Sequence, residues 1–203
     1  MTDTEEEGDP WIVAACPVTP ELAARIVEFA DRDWDDHEAC ERALAEAGWD
    51  TTGEDVGGFE EWAHSPAGHH VYGSGCFFMP FAYEYVLDPD EEARCEHWAT
   101  LPGWKNIAQP SVDTFDGQLE AVVDQFTSLL GPPDHDVTHD SRPAFNHHWR
   151  YRVWRRGDNA LVVAPGLDGF SYSQFEHLFV QIRPLPATAP LPDLDELPEF
   201  FTW

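Results

Sequence analysis

The sequence predicts an α+β fold, with several helices packed on a mostly antiparallel β-meander and a Pro-rich C-terminal tail. Three observations support this class. Helix-capping residues precede segments with one apolar face. Three strand-like runs follow one another at 147–156, 160–165 and 175–183. Hydrophobic residues make up 42% of the 203 residues, which is enough to build the core of a single domain.

Two helices are predicted in the first quarter of the chain. The first begins after Thr19, a suitable N-cap, with Pro20 at the first helical position and Glu21 in the first turn. The second covers about 36–47 and ends at Gly48, since glycine readily adopts the conformation that terminates a helix.

Two more helices are expected further along the chain. Asp88 caps a short helix that extends to about Trp98. A longer helix ends at Gly131, and the two prolines that follow prevent its continuation. Its apolar face is predicted to consist of Phe115, Leu119, Val122, Val123, Phe126, Leu129 and Leu130.

Extended segments complete the domain. Residues 11–16 are predicted as a first strand, and 69–87 as two extended runs in which Pro80 indicates an edge or a bulge. A hairpin turn at 157–158 joins two of the later strands.

The chain divides into three parts by composition. Residues 1–9 are acidic and predicted to be disordered, and 10–183 form the single domain. Residues 184–203 are a Pro-rich tail that is not expected to form a regular element. Its apolar end must dock on this protein or on another.

The charge of the chain limits its partners. The formal net charge is −28, which repels nucleic acids and anionic membranes and favours encounter with basic proteins. Solubility or adaptation to a salty cytoplasm explains the same excess of acids. The sequence has no secretory signal pattern, no apolar run of ~18 residues and no C-x-x-C pair. These features predict a cytoplasmic protein with reduced cysteines.

The segment 147–156 concentrates basic residues. In a strand, Trp149, Tyr151 and Val153 point to one face. The opposite face carries three arginines around a tryptophan. One interpretation is that this arginine face pairs with the protein's own acids; the other is that it binds an acidic peptide or a phosphorylated ligand. The arginine face consists of Arg150, Arg152, Trp154 and Arg156.

Metal and catalytic motifs are scarce. His135 and His139 are the first candidates for a metal site, because two histidines four residues apart on a helix can bind one zinc ion. Pro133 and the neighbouring aspartates predict a loop there, and in a loop this spacing does not indicate a metal site. His69 and His70 are the second candidates. No phosphate-binding loop, dinucleotide fingerprint or G-x-S-x-G motif is present, so we assign no catalytic residue and no cofactor.

The order of elements over about 19–183 resembles a group of known proteins. A helix pair ends at Leu44…Gly48-Trp49, a helix ends at 129–133, and the meander "WRYRVWRRGDNALVVAP…FEHLFVQIRP" follows. This order is similar to that of small acidic α+β proteins of GC-rich bacteria, which include immunity proteins of polymorphic toxin systems. The long 50–110 middle and the Pro-rich tail depart from that pattern.

The resemblance implies a non-enzymatic inhibitor that binds a basic protein partner such as a toxin nuclease. Two alternatives remain open: a metal-dependent enzyme using the His135 and His139 loop, or a subunit of a larger assembly docked through its tail. No oligomeric state follows from the sequence. Trp49 and Phe59 are further candidate anchors beside the predicted partner-binding surface. That surface consists of Asp31, Asp33, Trp34, Asp35, Asp36, Glu38, Glu54, Asp55, Glu60, Glu61 and Trp62.

Overall fold

The computed structural model describes residues 11–34, 36–52, 55–56, 59–72, 76–86, 101–107, 110–111, 113–139, 149–167 and 175–201. Its helices are α1 (Pro20–Ala30), α2 (His37–Glu46), α3 (Thr114–Leu130) and α4 (Leu197–Phe201), the last preceded by a 3-10 turn at Leu194–Glu196. Its strands are β1 (Trp11–Ala15), β2 (Asp55–Val56), β3 (Phe59–His64), β4 (His70–Tyr72), β5 (Phe77–Val86), β6 (Lys105–Ile107), β7 (His135–His139), β8 (Trp149–Arg156), β9 (Asn159–Leu167) and β10 (Glu176–Pro184).

These strands form one antiparallel sheet, which confirms the α+β class. The order is β2-β3-β4-β5-β10-β9-β8-β7, with β1 pairing to β5 and to β6. The register between β10 and β5 shifts between Leu178, opposite Ala82, and Phe179, opposite Pro80. The extra residue of this bulge is Phe81, so the predicted bulge at Pro80 is confirmed in a strand that is paired on both edges.

The predicted N-cap of α1 and the predicted C-terminal glycine of α3 are both present. The Thr19 hydroxyl accepts a hydrogen bond from the Leu22 amide at 3.2 Å. The structure adds a cap that was not predicted: the Asp36 carboxylate accepts a hydrogen bond from the Ala39 amide at 3.0 Å. Gly131 ends α3 with φ of 83°. One helix prediction is wrong: Leu129 is 48% exposed and does not belong to the buried face of α3.

The sheet is buried on both faces. Helices α1 and α3 cover one face, where Phe29, Trp34, Trp49 and Phe77 form an aromatic cluster. The other face carries the apolar side chains of β8 that the alternation predicted, namely Trp149, Tyr151 and Val153. A continuous apolar run such as that of β9 is typical of a strand covered on both sides.

The cover on the second face is the C-terminal strap, residues 185–201. Leu185, Leu197 and Phe201 are buried against the sheet. The Arg155 guanidinium donates to the carbonyls of Pro186 at 3.2 Å and Ala189 at 2.8 Å. The prediction that this tail contains no regular element is therefore wrong. Four of its prolines precede the 3-10 turn, Pro198 lies in the first turn of α4, where proline is tolerated, and the apolar end forms that helix.

Several predictions lie outside the described residues: the disordered segment 1–9, the helix at 88–98, and the last two residues of the tail. No helix in the described part of the chain is both long enough and apolar enough to cross a membrane.

Candidate functional site

A polar cleft opens where the α1–α2 connection meets the β8–β9 turn. Its volume is about 460 Å³, within the ~300–1,000 Å³ range of ligand sites. Because charged and amide groups line it, the cleft suits a charged ligand group rather than an apolar small molecule. The groups that define it belong to Asp31, Arg32, Asp33, Arg156, Asp158 and Asn159.

Buried hydrogen bonds fix the shape of the cleft. The Asn159 side-chain amide, only 6% exposed, donates to the carbonyls of Ala30 at 3.0 Å and Arg32 at 2.6 Å. The Trp34 indole donates to the Phe29 carbonyl at 2.9 Å, so the connection after α1 is held at two successive points. A site supported by buried hydrogen bonds of this kind is organised before a ligand arrives.

The cleft has more negative than positive groups. Arg156 forms a two-pronged ion pair with Asp31, at 2.9 Å and 2.6 Å. Asp33 and Asp158 are exposed at the rim. Three carboxylates therefore face two guanidinium groups, those of Arg32 and Arg156.

The cleft lies at one end of an acidic face, which we define as the exposed and half-buried charged residues of 20–50. The described residues of this face include nine acids and three arginines, and 3 − 9 gives a net charge of −6. The acids are Glu21, Glu28, Asp31, Asp33, Asp36, Glu38, Glu41, Glu46 and Asp50, and the arginines are Arg25, Arg32 and Arg42.

The structure brings together part of the predicted partner-binding surface. Asp31, Asp33, Asp36 and Glu38 are all exposed on the acidic face. Trp34 is 2% exposed and packs in the core, which corrects its prediction as a surface anchor.

Other members of the predicted surface are described less fully. Trp49, a further candidate anchor, is also buried. Asp35 and Glu54 lie outside the described residues. For five others the structure describes the backbone on β2 and β3 and not the side chain: Asp55, Phe59, Glu60, Glu61 and Trp62.

The arginine face is neutralised by the protein's own acids. Arg150 pairs with Asp136, and buried Arg152 pairs with Glu120 and lies 3.7 Å from Asp136. Hydrogen bonding from Arg150 lowers the pKa of Asp136. The tryptophan of this face, Trp154, lies in the core. The intramolecular interpretation of this segment therefore holds in the structure.

The histidine pair of β7 does not form a metal site. Residues 135–139 are a strand, which corrects the predicted loop; the alternation of half-buried and exposed positions shows its period of two. His135 and His139 share a face but lie about 13 Å apart along the strand, too far for one ion. In the described part of the chain, no three His, Cys, Asp or Glu side chains are placed to hold a metal ion.

A buried cluster of Cys16, Ser65 and His69 was missed by the sequence analysis. His69 Nε2 lies 3.0 Å from the Cys16 carbonyl oxygen, and because a carbonyl only accepts, Nε2 carries the proton. Nδ1 then accepts from the Ser65 hydroxyl at 3.1 Å, with the Cys16 sulfur 3.7 Å away. Ser65 and His69 are four residues apart, but Cys16 lies 53 residues before His69, so no local motif could indicate the cluster.

This cluster is structural rather than nucleophilic. Burial raises the pKa of the Cys16 thiol to about 12 and lowers the pKa of His69 from 6.5 to about 4. Both groups are therefore neutral near pH 7, and a neutral, enclosed thiol is a poor nucleophile. The cluster joins the end of β1 to the β3–β4 turn.

Protonation of His69 should destabilise the fold in mild acid. Because its pKa is lower in the folded state than in the unfolded chain, the unfolded chain takes up the proton first, and stability is lost as the pH falls from 6.5 towards 4. At pH 5 the loss from this residue is about 2 kcal/mol. Urea unfolding at pH 7 and pH 5 should show a smaller pH effect for His69→Gln than for wild type, with His135→Gln as the unchanged control. Equal pH effects in all three proteins would contradict this assignment.

A second buried polar position, on β10, was not predicted from the sequence. His177 is fully buried, and its ring lies 5.4 Å from Phe78, 5.8 Å from Tyr83 and 5.5 Å from Phe179, measured between centroids. Gly166 leaves room for it, since a Cβ there would meet His177 Nε2 at 3.0 Å. In sequence, 175–183 resembles an ordinary apolar strand, which gives no sign of this arrangement.

Comparison with protein-family models, with curated proteins and with solved structures finds no match for this chain. The fold class by itself hosts many unrelated functions. The acidic face and its cleft are the features of the described residues that bear on function.

Proposed function

We propose that this protein is a non-enzymatic, cytoplasmic binding protein that engages a basic protein partner through the acidic face and its cleft, as an immunity or inhibitor protein does. The observation that supports this most is the cleft itself: a preorganised polar opening with exposed carboxylates at its rim, within a face of net charge −6. Such a site suits an arginine or lysine side chain of a partner.

The distribution of internal ion pairs supports the same proposal. Three arginines of β8 are engaged in intramolecular contacts. Arg150 and Arg152 pair with acids, and Arg155 donates to backbone carbonyls. Arg156 lies in the cleft and pairs with Asp31. The cationic groups of this strand are therefore engaged by the protein's own acids and carbonyls, while the acids of α1 and α2 are exposed or half-buried and set the local field.

An inhibitor role would explain the negative electrostatic field of the acidic face. A nuclease that holds phosphate groups is basic at its active site, and a negative protein is attracted to that surface over a long range. Once bound, it competes with nucleic acid for the same cations. Neither step requires a catalytic group on the acidic protein.

The proposal predicts which carboxylates matter. The basic polypeptide recovered with the tagged protein from its own host is titrated with wild type and with Asp33→Asn/Asp158→Asn. Loss of two rim charges should weaken binding by at least ~10-fold, about 1.4 kcal/mol, with most of the effect on the association rate and on its salt dependence.

A charge-matched control separates the site from overall charge. Asp193→Asn/Glu199→Gln also removes two exposed acids, but from the strap on the opposite face of the sheet. This control should bind as wild type does. Equal weakening of both double variants would show that binding depends only on net charge. No weakening in either variant would show that the cleft does not contribute to partner binding.

A further inference from the structure

Two half-buried histidines face each other across the β3–β4 hairpin. His64 and His70 are directly opposite in the strand register. The backbone of His64 exchanges both of its hydrogen bonds with Asp50 on the other side, at 2.9 Å and 2.7 Å. His64 and His70 are therefore a non-hydrogen-bonded pair, the arrangement in which opposite side chains come closest.

The ring nitrogens of this pair converge. His64 Nε2 lies 3.2 Å from His70 Nδ1, and the ring centroids are 4.5 Å apart. Two imidazole nitrogens bound to one tetrahedral zinc ion at about 2.0–2.1 Å lie about 3.3 Å from each other. The observed separation thus matches the bite of a two-histidine site with little movement of either ring.

The hairpin that carries the pair is rigid. The Trp104 indole donates to the Gly68 carbonyl at 2.9 Å, and His69 is anchored to Cys16. Gly68 packs so closely on the 101–104 turn that a Cβ there would lie 1.7 Å from the Pro102 carbonyl oxygen. Two ligands on a fixed support lose little conformational freedom when an ion binds.

The surroundings favour a cation. Asp50 stands opposite His64 on its other side, in the same row and on the same face of the sheet. Its carboxylate is held by the Thr52 amide at 3.0 Å and the Thr52 hydroxyl at 2.6 Å. It therefore adds negative charge beside the pair without acting as a third ligand.

We propose that His64 and His70 form a two-histidine site for a borderline divalent metal ion such as Zn²⁺, with water completing the coordination. Imidazole nitrogen suits such ions, whereas Mg²⁺ and Ca²⁺ prefer oxygen. On binding, the proton between the rings moves to the outer nitrogen of the ring that carries it, so both facing nitrogens present lone pairs and the neutral pair releases no proton. The proposal is independent of partner binding at the cleft.

Calorimetric titration of the full chain with ZnCl₂ at pH 7.5 tests the site. One ion should bind per chain, and His64→Gln or His70→Gln should each weaken binding by more than ~10-fold, the loss that follows even from removing an outer-shell partner of a metal site. His135→Gln, which alters another half-buried histidine, should bind as wild type does.

A measurement on the unmodified protein guards against misfolded variants. In ¹H–¹⁵N spectra of the imidazole rings, Zn²⁺ should shift the nitrogens of His64 and His70. Excess Mg²⁺ should not reverse the shift. If Zn²⁺ binds without moving these two rings, or if Mg²⁺ displaces it, the ion is only associated with surface carboxylates and the proposal is overturned.

Discussion

Replacement of Phe201 by alanine is expected to lower the free energy of unfolding by about 3–5 kcal/mol, the usual effect of removing a fully buried phenylalanine ring. Phe201 is fully buried at the end of the strap, and its ring lies 5.8 Å from that of Tyr151. Without it, α4 loses one of its two fully buried apolar contacts with this face of the sheet, the other being Leu197. Urea unfolding followed by tryptophan fluorescence measures the change.

Leu194→Ala is the matched control for this prediction. Leu194 belongs to the same strap but is 43% exposed, so its loss should alter stability by less than about 1 kcal/mol. A small effect of Phe201→Ala, similar to that of the control, would mean that the strap does not stabilise the second face of the sheet.

Gly68→Ala is expected to be the second strongly destabilising change. Gly68 has φ of 98°, which an L residue rarely adopts, and an added Cβ would meet the Pro102 carbonyl oxygen at 1.7 Å. Two contributions destabilise this variant: backbone strain of about 1 kcal/mol and an overpacking cost of about 1–3 kcal/mol or more. The second arises because the backbone must move on both sides of the contact. The free energy of unfolding should fall accordingly.

Gly48→Ala separates these two contributions. Gly48 has φ of 82°, and nothing lies within 4 Å of its would-be Cβ, so this variant carries the strain without the clash. It should lose about 1 kcal/mol in the same urea experiment. Equal losses for the two variants would show that the 65–68 and 101–104 turns are not in close contact.

Local signals predicted the helices of this fold well. Thr19 and Gly131 act on the backbone within one helical turn. The helix ends that they set can therefore be predicted from the sequence alone. The β8–β9 turn at Gly157 is likewise local, since its φ of 60° is one that glycine adopts at low cost.

Features that depend on distant residues were not predictable in this way. Residues 135–139 contain four polar positions that suit a loop, and they become a strand because β8 supplies backbone partners. The strap acquires structure because the sheet offers it an apolar face. In both places, tertiary contacts decide what local propensity leaves open.

The candidate site was predicted in part for the same reason. The excess of acids in 31–38 is a property of composition and could be seen directly. The cleft requires Asn159 and Arg156 to approach Asp31 from more than a hundred residues away, which no spacing indicates. Trp34 was wrongly predicted as a surface anchor because a tryptophan among acids resembles an interface residue. In the structure its indole donates a hydrogen bond to the Phe29 carbonyl in the last turn of α1.

Native mass spectrometry of the protein, tagged at low copy number and purified gently from its own host, tests the central claim most directly. The account predicts a stoichiometric complex with one basic polypeptide that dissociates as ionic strength rises. A bare protein, or a complex with an acidic polypeptide that survives high salt, would contradict it.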